Sequence, residues 1–141
     1  MKLLKKITLL LLIVFSSCIA QEDSNKIIEV QYVAHTRGTS LSITYKNDSV
    51  KYKTNSKDKT LVLSKHLQQK IQEEANKLNL KEISSLKAPS NRRFTDGALS
   101  ANFTIKTNTN VFTSSDFDHE NPPKELAPLY NIFKKAKKVE N

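Results

Sequence analysis

Cysteine occurs once in 141 residues, glycine twice, methionine once and tryptophan not at all. A single cysteine can make neither an intrachain disulfide nor a zinc-ligand set, which excludes a disulfide-stapled mini-protein and a zinc ribbon. The two glycines, Gly38 and Gly97, stand far apart. Neither a dinucleotide-binding fingerprint nor a phosphate-cradling P-loop can be built from them, because both need glycines a few residues from one another. No serine lies in a Gly-x-Ser-x-Gly elbow, and His35, His66 and His119 are not in any metal-ligand spacing. The chain is also too short for a multi-domain enzyme and carries no internal repeat, so one domain and no cofactor are expected.

What the sequence does have begins with its first 20 residues, MKLLKKITLLLLIVFSSCIA. Lys2, Lys5 and Lys6 precede an apolar run over 7–15 broken only by Thr8, and Ser16 and Ser17 close it. That is the pattern of a secretory signal peptide, and the run is well short of the ~20 apolar residues a membrane-spanning helix needs. Two cleavage readings stay open. Phe15, Ser16, Ser17 and Cys18 are similar to a lipobox, although Phe stands where Leu is commonest; a cut there leaves Cys18 as a lipidated first residue. Cys18, Ile19 and Ala20 ahead of Gln21 fit an ordinary small-x-Ala site instead, which discards the cysteine and frees the chain. The lipobox reading gives the lone cysteine a reason for its position. It implies acyl chains on Cys18, each buried CH₂ contributing about 0.8 kcal/mol to membrane attachment. Either cut removes three lysines and no acid from a formal net charge of +9, so the mature chain stays basic.

Residues 21–26 (QEDSNK) hold no apolar side chain and read as a polar tether, leaving 27–141 as a single domain. Ile28, Val30, Tyr32 and Ala34 alternate with Glu29, Gln31 and His35, predicting a strand over 27–36. Gly38 supplies the following turn through positive φ. Leu41, Ile43 and Tyr45 mark a second strand. Residues 46–49 form a hairpin turn, and Val50, Tyr52 and Thr54 mark a third strand whose opposite, wet face carries Lys51 and Lys53. Residues 60–63 read as a short extended piece. Ser64 is an N-cap for a helix with the stripe Leu67, Ile71, Ala75 and Leu78, ended by a left-handed Asn79. Leu80, Ile83 and Leu86, at period three, predict a 3₁₀ or irregular segment.

After an aperiodic stretch over 87–97, Leu99, Ala101, Phe103 and Ile105 predict a fourth strand and 111–117 a fifth. A final helix follows, with the stripe Leu126, Leu129, Tyr130, Phe133 and Ala136. Pro128 is confined to its first turn, and Lys134, Lys135, Lys137 and Lys138 lie at the end where cations complement the helix dipole. The expected fold is α+β, an antiparallel β-sheet of about five strands with two helices on one face in the order β-β-β-α-β-β-α.

Two polar clusters are candidates for chemistry. Asp116, Asp118 and Glu120 recur every second residue around His119, as ligands do in a calcium loop, but the sixth and twelfth loop positions are Asn121 and Ala127 rather than glycine and glutamate. Asp116, Asp118 and His119 are therefore weak metal candidates, and capping of the last helix explains the acids without an ion. The second cluster is Arg92, Arg93, Phe94 and Asp96 in the aperiodic stretch. Arginine can pair with a carboxylate or phosphate, and Phe94 offers an apolar anchor beside it, which makes the four residues a candidate binding surface. The plainer alternative is a turn at Asp96 and Gly97, with solvated arginines and Phe94 covering a sheet edge. No catalytic residue is singled out. The basic surplus suits lipid headgroups, an anionic polymer or an acidic protein; export and the lack of a stacking platform speak against nucleic acid.

With its lipobox-like residues 15–18, its small strand-rich domain, the run Asn121-Pro122-Pro123-Lys124-Glu125-Leu126 and the amphipathic C-terminal helix, the chain resembles the small exported lipoproteins of unknown function of Bacteroidota-type bacteria. That resemblance implies a lipoprotein of the cell envelope, membrane-anchored through Cys18, and transfers no catalytic residue. The expected function is a non-catalytic binding or inhibitor-like module using the loop surface around residues 92–96 and 116–121. The alternatives are a small metal-assisted hydrolase using Asp116, Asp118 and His119, and a structural component of the envelope. Cleavage at Ala20 would instead give a soluble periplasmic or secreted protein.

Overall fold

The computed structural model describes residues 26–138; the signal segment, Cys18 and residues 21–25 of the tether lie outside them. Strands β1 (Ile27–His35), β2 (Ser40–Lys46), β3 (Ser49–Thr54) and β4 (Asp58–Val62) form an antiparallel meander. Helix α1 (Lys65–Asn76) and a 3₁₀ turn (Leu80–Ser85) follow, and a second 3₁₀ turn (Arg92–Thr95) precedes β5 (Ser100–Thr107), β6 (Val111–Thr113) and β7 (Phe117–Asp118). Helix α2 (Ala127–Lys138) completes the described chain. The strands make a seven-stranded antiparallel sheet in the order β4-β3-β2-β1-β5-β6, with β7 also pairing with β5. The α+β class is as expected.

One face of the sheet is apolar because alternate residues of each strand point to it. Val30, Tyr32 and Ala34 of β1, Ile43 and Tyr45 of β2, and Ala101, Phe103 and Ile105 of β5 are buried there. They share one core with Ile71 and Ala75 of α1 and with Leu126, Leu129, Tyr130, Phe133 and Ala136 at α2. The ring of Tyr32 meets Phe103 at 5.1 Å and Tyr130 at 5.3 Å, and Phe103 meets Phe133 at 6.0 Å. Each such ring pair contributes about 0.5–1.5 kcal/mol beyond its buried area, so helix α2 is fixed over the middle of β1 and β5. The N-cap at Ser64 forms as read, its hydroxyl accepting from the Leu67 N–H. Gln72 of α1 donates to the Ile27 carbonyl, which seats α1 over the start of β1. The opposite face is polar, and on it Glu29 bridges Lys106 at 2.7 Å and Lys46 at 3.6 Å.

Four sequence expectations are corrected. The sheet has seven strands rather than five. One extra strand is β4, whose residues are nearly all exposed at the sheet edge and so show no alternation. The single strand expected over 111–117 is split into β6 and β7. Between them the buried Ser114 hydroxyl accepts the Phe103 N–H at 3.0 Å, taking the place of a backbone ladder acceptor. A register shift between Ile27 and Glu29 turns Ile27 inward and leaves Ile28 exposed, reversing the alternation at the start of β1. Gly38 does not adopt positive φ, and Asn79 (φ −75°, ψ 89°) leads the first 3₁₀ turn instead of ending α1, where Lys77 is the cap residue.

The register gives the sheet two distinct ends. At one lie the start of β1, the β2–β3 turn and the β5–β6 turn, where Asn108 donates to the Lys26 carbonyl. At the other lie the β1–β2 turn with Arg37, the β3–β4 turn with Lys57, the start of β5, and β7.

Candidate functional site

Ser100 and Asp118 are cross-strand neighbours, so Asp118 emerges at the second end of the sheet on its polar side. There the stretch between the two 3₁₀ turns folds over it, and Asp118 is only 2% exposed. Its Oδ2 accepts the Ser90 hydroxyl at 2.5 Å and the Arg92 N–H at 2.7 Å. Its Oδ1 accepts the Arg93 N–H at 2.9 Å and Arg93 Nη1 at 3.1 Å. Desolvation acts to raise the Asp118 pKa, but the Ser90 hydroxyl, the two backbone N–H groups and the Arg93 guanidinium outweigh it and hold the carboxyl well below the usual carboxylate range. Asn121 Nδ2 donates to Ser90 Oγ at 2.7 Å, tying the loop before α2 into the same knot.

This knot sets what the 92–96 segment shows to solvent. Arg93 also donates from Nη1 to the Ser90 carbonyl at 2.8 Å, and its Nε is buried with no hydrogen-bond partner among the described residues. Phe94 lies with its ring centroid 4.3 Å from the Arg93 guanidinium carbon, yet is 75% exposed. Arg92 is exposed and makes no ion pair among the described residues. Asp96 takes a left-handed conformation (φ 56°), and the Gly97 N–H closes the turn on the Arg92 carbonyl at 2.9 Å. A Cβ on Gly97 would lie 3.3 Å from that same oxygen, a tight contact that the turn could accept only by giving a few tenths of an ångström.

The structure therefore divides the candidates. Arg92 and Phe94 face solvent, Arg93 is turned inward as a structural cation, and Asp96 shapes the turn. The metal candidates have separate commitments. Asp118 is taken up by the knot. Asp116 accepts from Ser100 Oγ at 3.1 Å and Asn102 Nδ2 at 3.0 Å on the polar sheet face. His119 Nδ1 shares a 2.6 Å hydrogen bond with the Tyr32 hydroxyl, the donor depending on the tautomer. Among the described residues no group of three or more His, Cys, Asp or Glu is placed to hold a metal ion.

A residue group that the sequence did not single out lies beside His119. Burial, the neighbouring Tyr130 and the Glu120 charge push the Tyr32 phenol up, against a lowering hydrogen bond from the Glu120 backbone. Burial first, then the charge and hydrogen bond of Glu120, push Tyr130 up to about 12. Glu120 itself is left-handed (φ 69°) and lies 3.6 Å from Lys134. The sequence showed Glu120 only as one of the repeating acids, and no local spacing links it to Tyr32 and Tyr130, which lie far from it along the chain or on the next helix. Grooves of ≈ 380–430 Å³ beside α1 are lined by none of the candidate residues.

No helix among the described residues is long and apolar enough to cross a membrane. No protein family, curated protein or solved structure matches the chain.

Proposed function

We propose that the chain is an exported envelope protein, held at a membrane through Cys18, whose folded domain is a non-catalytic binding or inhibitor-like module. The observation that supports the binding role is the exposed Phe94, at 75%, standing on a base fixed by the four hydrogen bonds to Asp118. A large apolar side chain left in water contributes nothing to the core, whereas a fixed base beneath it lowers the ordering cost of binding. Arg92 beside it adds a cation able to take a carboxylate on two parallel N–H groups. The hydrolase alternative has less support, since Asp116, Asp118 and His119 are each bonded to different partners.

The anchor is tested by the intact mass of the N-terminal peptide after expression in a bacterial host that processes lipoproteins, with Cys18→Ala as control. A lipid-modified peptide beginning at Cys18, lost in the variant, is expected. An unmodified peptide beginning at Gln21 would overturn the anchor. The binding role is tested by Phe94→Ser, which should leave the circular dichroism spectrum unchanged while removing the partner that co-purifies with the wild type. Retention of that partner would count against this surface.

A further inference from the structure

Two surface features of opposite kind lie side by side on the domain. One is a knob, the exposed ring of Phe94 on the loop that Asp118 holds. The other is a groove of ≈ 390 Å³ between the end of α1, the first 3₁₀ turn and the start of α2, with Leu78, Ile83, Leu86 and Pro128 along it. That volume is at the low end of clefts that bury a ligand. The carbonyl of Leu86 accepts the Ser115 hydroxyl, and Asp118, three residues on, binds Arg92 and Arg93. Three residues of chain span at most about 11 Å, so the knob and the groove are close neighbours. On the other side Asn121 donates to Ser90, two residues before Arg92, and Lys124 at the groove mouth follows three residues later. Phe94 does not enter the groove of its own chain, since its ring rests on the Arg93 guanidinium and faces solvent.

The charges around the two features match pair by pair and not in sum. At the end of the sheet that carries Phe94, exposed Arg37, Lys57 and Arg92 are balanced by exposed Asp96, Asp116 and Glu120. Asp116 is engaged by Ser100 and Asn102, and Glu120 by Lys134, which leaves Arg92 and Asp96 as the charges flanking the ring. Around the groove Glu74, Glu82 and Glu125 are matched by Lys77, Lys124 and the adjoining Lys81. Lys77 is bridged to Glu74 at 2.6 Å, whereas Lys124 is only within 3.9 Å of Glu125, and Glu82 is exposed with no ion pair among the described residues. Neither surface has the net charge that draws a polyanion or an anionic bilayer. Each offers an apolar feature with one cation and one acid beside it, Arg92 and Asp96 at the knob, Lys124 and Glu82 at the groove.

We propose, resting on the binding role of Phe94 above, that the groove receives Phe94 of a second copy of this chain, with Arg92 of that copy pairing with Glu82 and its Asp96 with Lys124. Because knob and groove are neighbours, the exchange is reciprocal about a twofold axis, each copy seating its ring on the other, and the contact closes as a dimer instead of running on as a filament. The chain supplies both halves of the contact, apolar and charged, so a second copy accounts for the exposed ring and the groove together.

The test places the photo-crosslinking residue p-benzoylphenylalanine at position 94 of the mature chain, mixes it with isotope-labelled wild type and maps the adducts by mass spectrometry. Sedimentation velocity follows the wild type and its variants over a concentration series, with circular dichroism as the check on folding. Position 94 should label the 78–86 or 124–128 segment of the isotope-labelled copy. Phe94→Ser should weaken the dimer at least about 100-fold, and Arg92→Glu and Glu82→Arg about tenfold each, while the two reversals in one chain should recover most of the loss. A wild type that stays a monomer up to about 0.1 mM, an adduct on any other segment, a dimer unchanged by Phe94→Ser, or combined reversals that recover nothing would each overturn the inference. A monomer that still loses a different co-purifying protein in Phe94→Ser would refute the second copy and keep the binding role. A monomer for which Phe94→Ser changes no partner would bring down both.

Discussion

Asp118 and Arg93 meet through two hydrogen bonds to one oxygen, the Arg93 N–H at 2.9 Å and its Nη1 at 3.1 Å, both on Oδ1. The carboxylate thus holds a residue 25 positions earlier in the chain by backbone and side chain together. It converts an aperiodic segment into a fixed loop, because every polar group it takes up would otherwise need water beneath a covered surface.

Asp118→Asn removes the charge while keeping the shape. The amide can accept at one atom only, so one pair of donors loses its acceptor, either Ser90 with the Arg92 N–H or the two groups of Arg93, and the Arg93 guanidinium is left without its counter-charge. The melting temperature should fall by several degrees. Trypsin should also cut after Arg92 or Arg93 much faster than in the wild type. Equal cutting rates would show that the loop is held by something else.

The same pair sets an acid limit. Its folded-state pKa lies below the ordinary value, so the stabilisation is complete above that ordinary value, near 4, and is lost as the pH falls from there towards the lower folded value. The gap in stability between wild type and Asp118→Asn should be widest near neutrality and close on acidification. Urea unfolding at a series of pH values measures it.

Two phenylalanines should respond in opposite ways. Phe103 is fully buried among Tyr32, Phe117 and Phe133, and Phe103→Ala should cost about 3–5 kcal/mol. Phe94 has solvent on most of its surface, and Phe94→Ala should change stability by no more than about 0.5 kcal/mol. A large loss at Phe94 would mean that the ring serves the fold.

Above neutrality the tyrosines govern. In the folded chain Tyr130 is raised to about 12, so its neutral form stabilises the fold fully below the unfolded value near 10, and that contribution is lost as the pH rises through 12. Tyr130→Phe should flatten the decline in stability across this range. Ultraviolet difference absorbance should show one fewer late-ionising phenol in the variant.

The parts of the fold that bury one side of a segment were legible from sequence. The alternation through Val30, Tyr32 and Ala34 and through Ala101, Phe103 and Ile105 gave two central strands, and the stripe through Leu129, Tyr130 and Phe133 gave the last helix. Strand β4 left no such trace, since only Leu61 of its five residues is even partly buried. The bulge at Ile27 was hidden because two adjacent isoleucines fit either phase of the alternation. The loop over 92–96 and the 116–121 segment were each singled out as candidates, but their joining through Asp118 is a long-range contact that no local spacing encodes. The repeating acids at 116 and 118 followed the pleat of a strand end, with Phe117 turned into the core between them.

The open edge of the sheet at β4 is written in charges: Asp58 and Lys59 fall within it, and Lys59, opposite Tyr52, is set on the same side of the sheet as the helices. A second chain adding there would have to cover an ammonium group with its own strand, which discourages growth from edge to edge. Under the anchored reading proposed above, copies of the chain would meet one another in a plane, and a lysine set inward at the open edge weighs against their joining strand to strand.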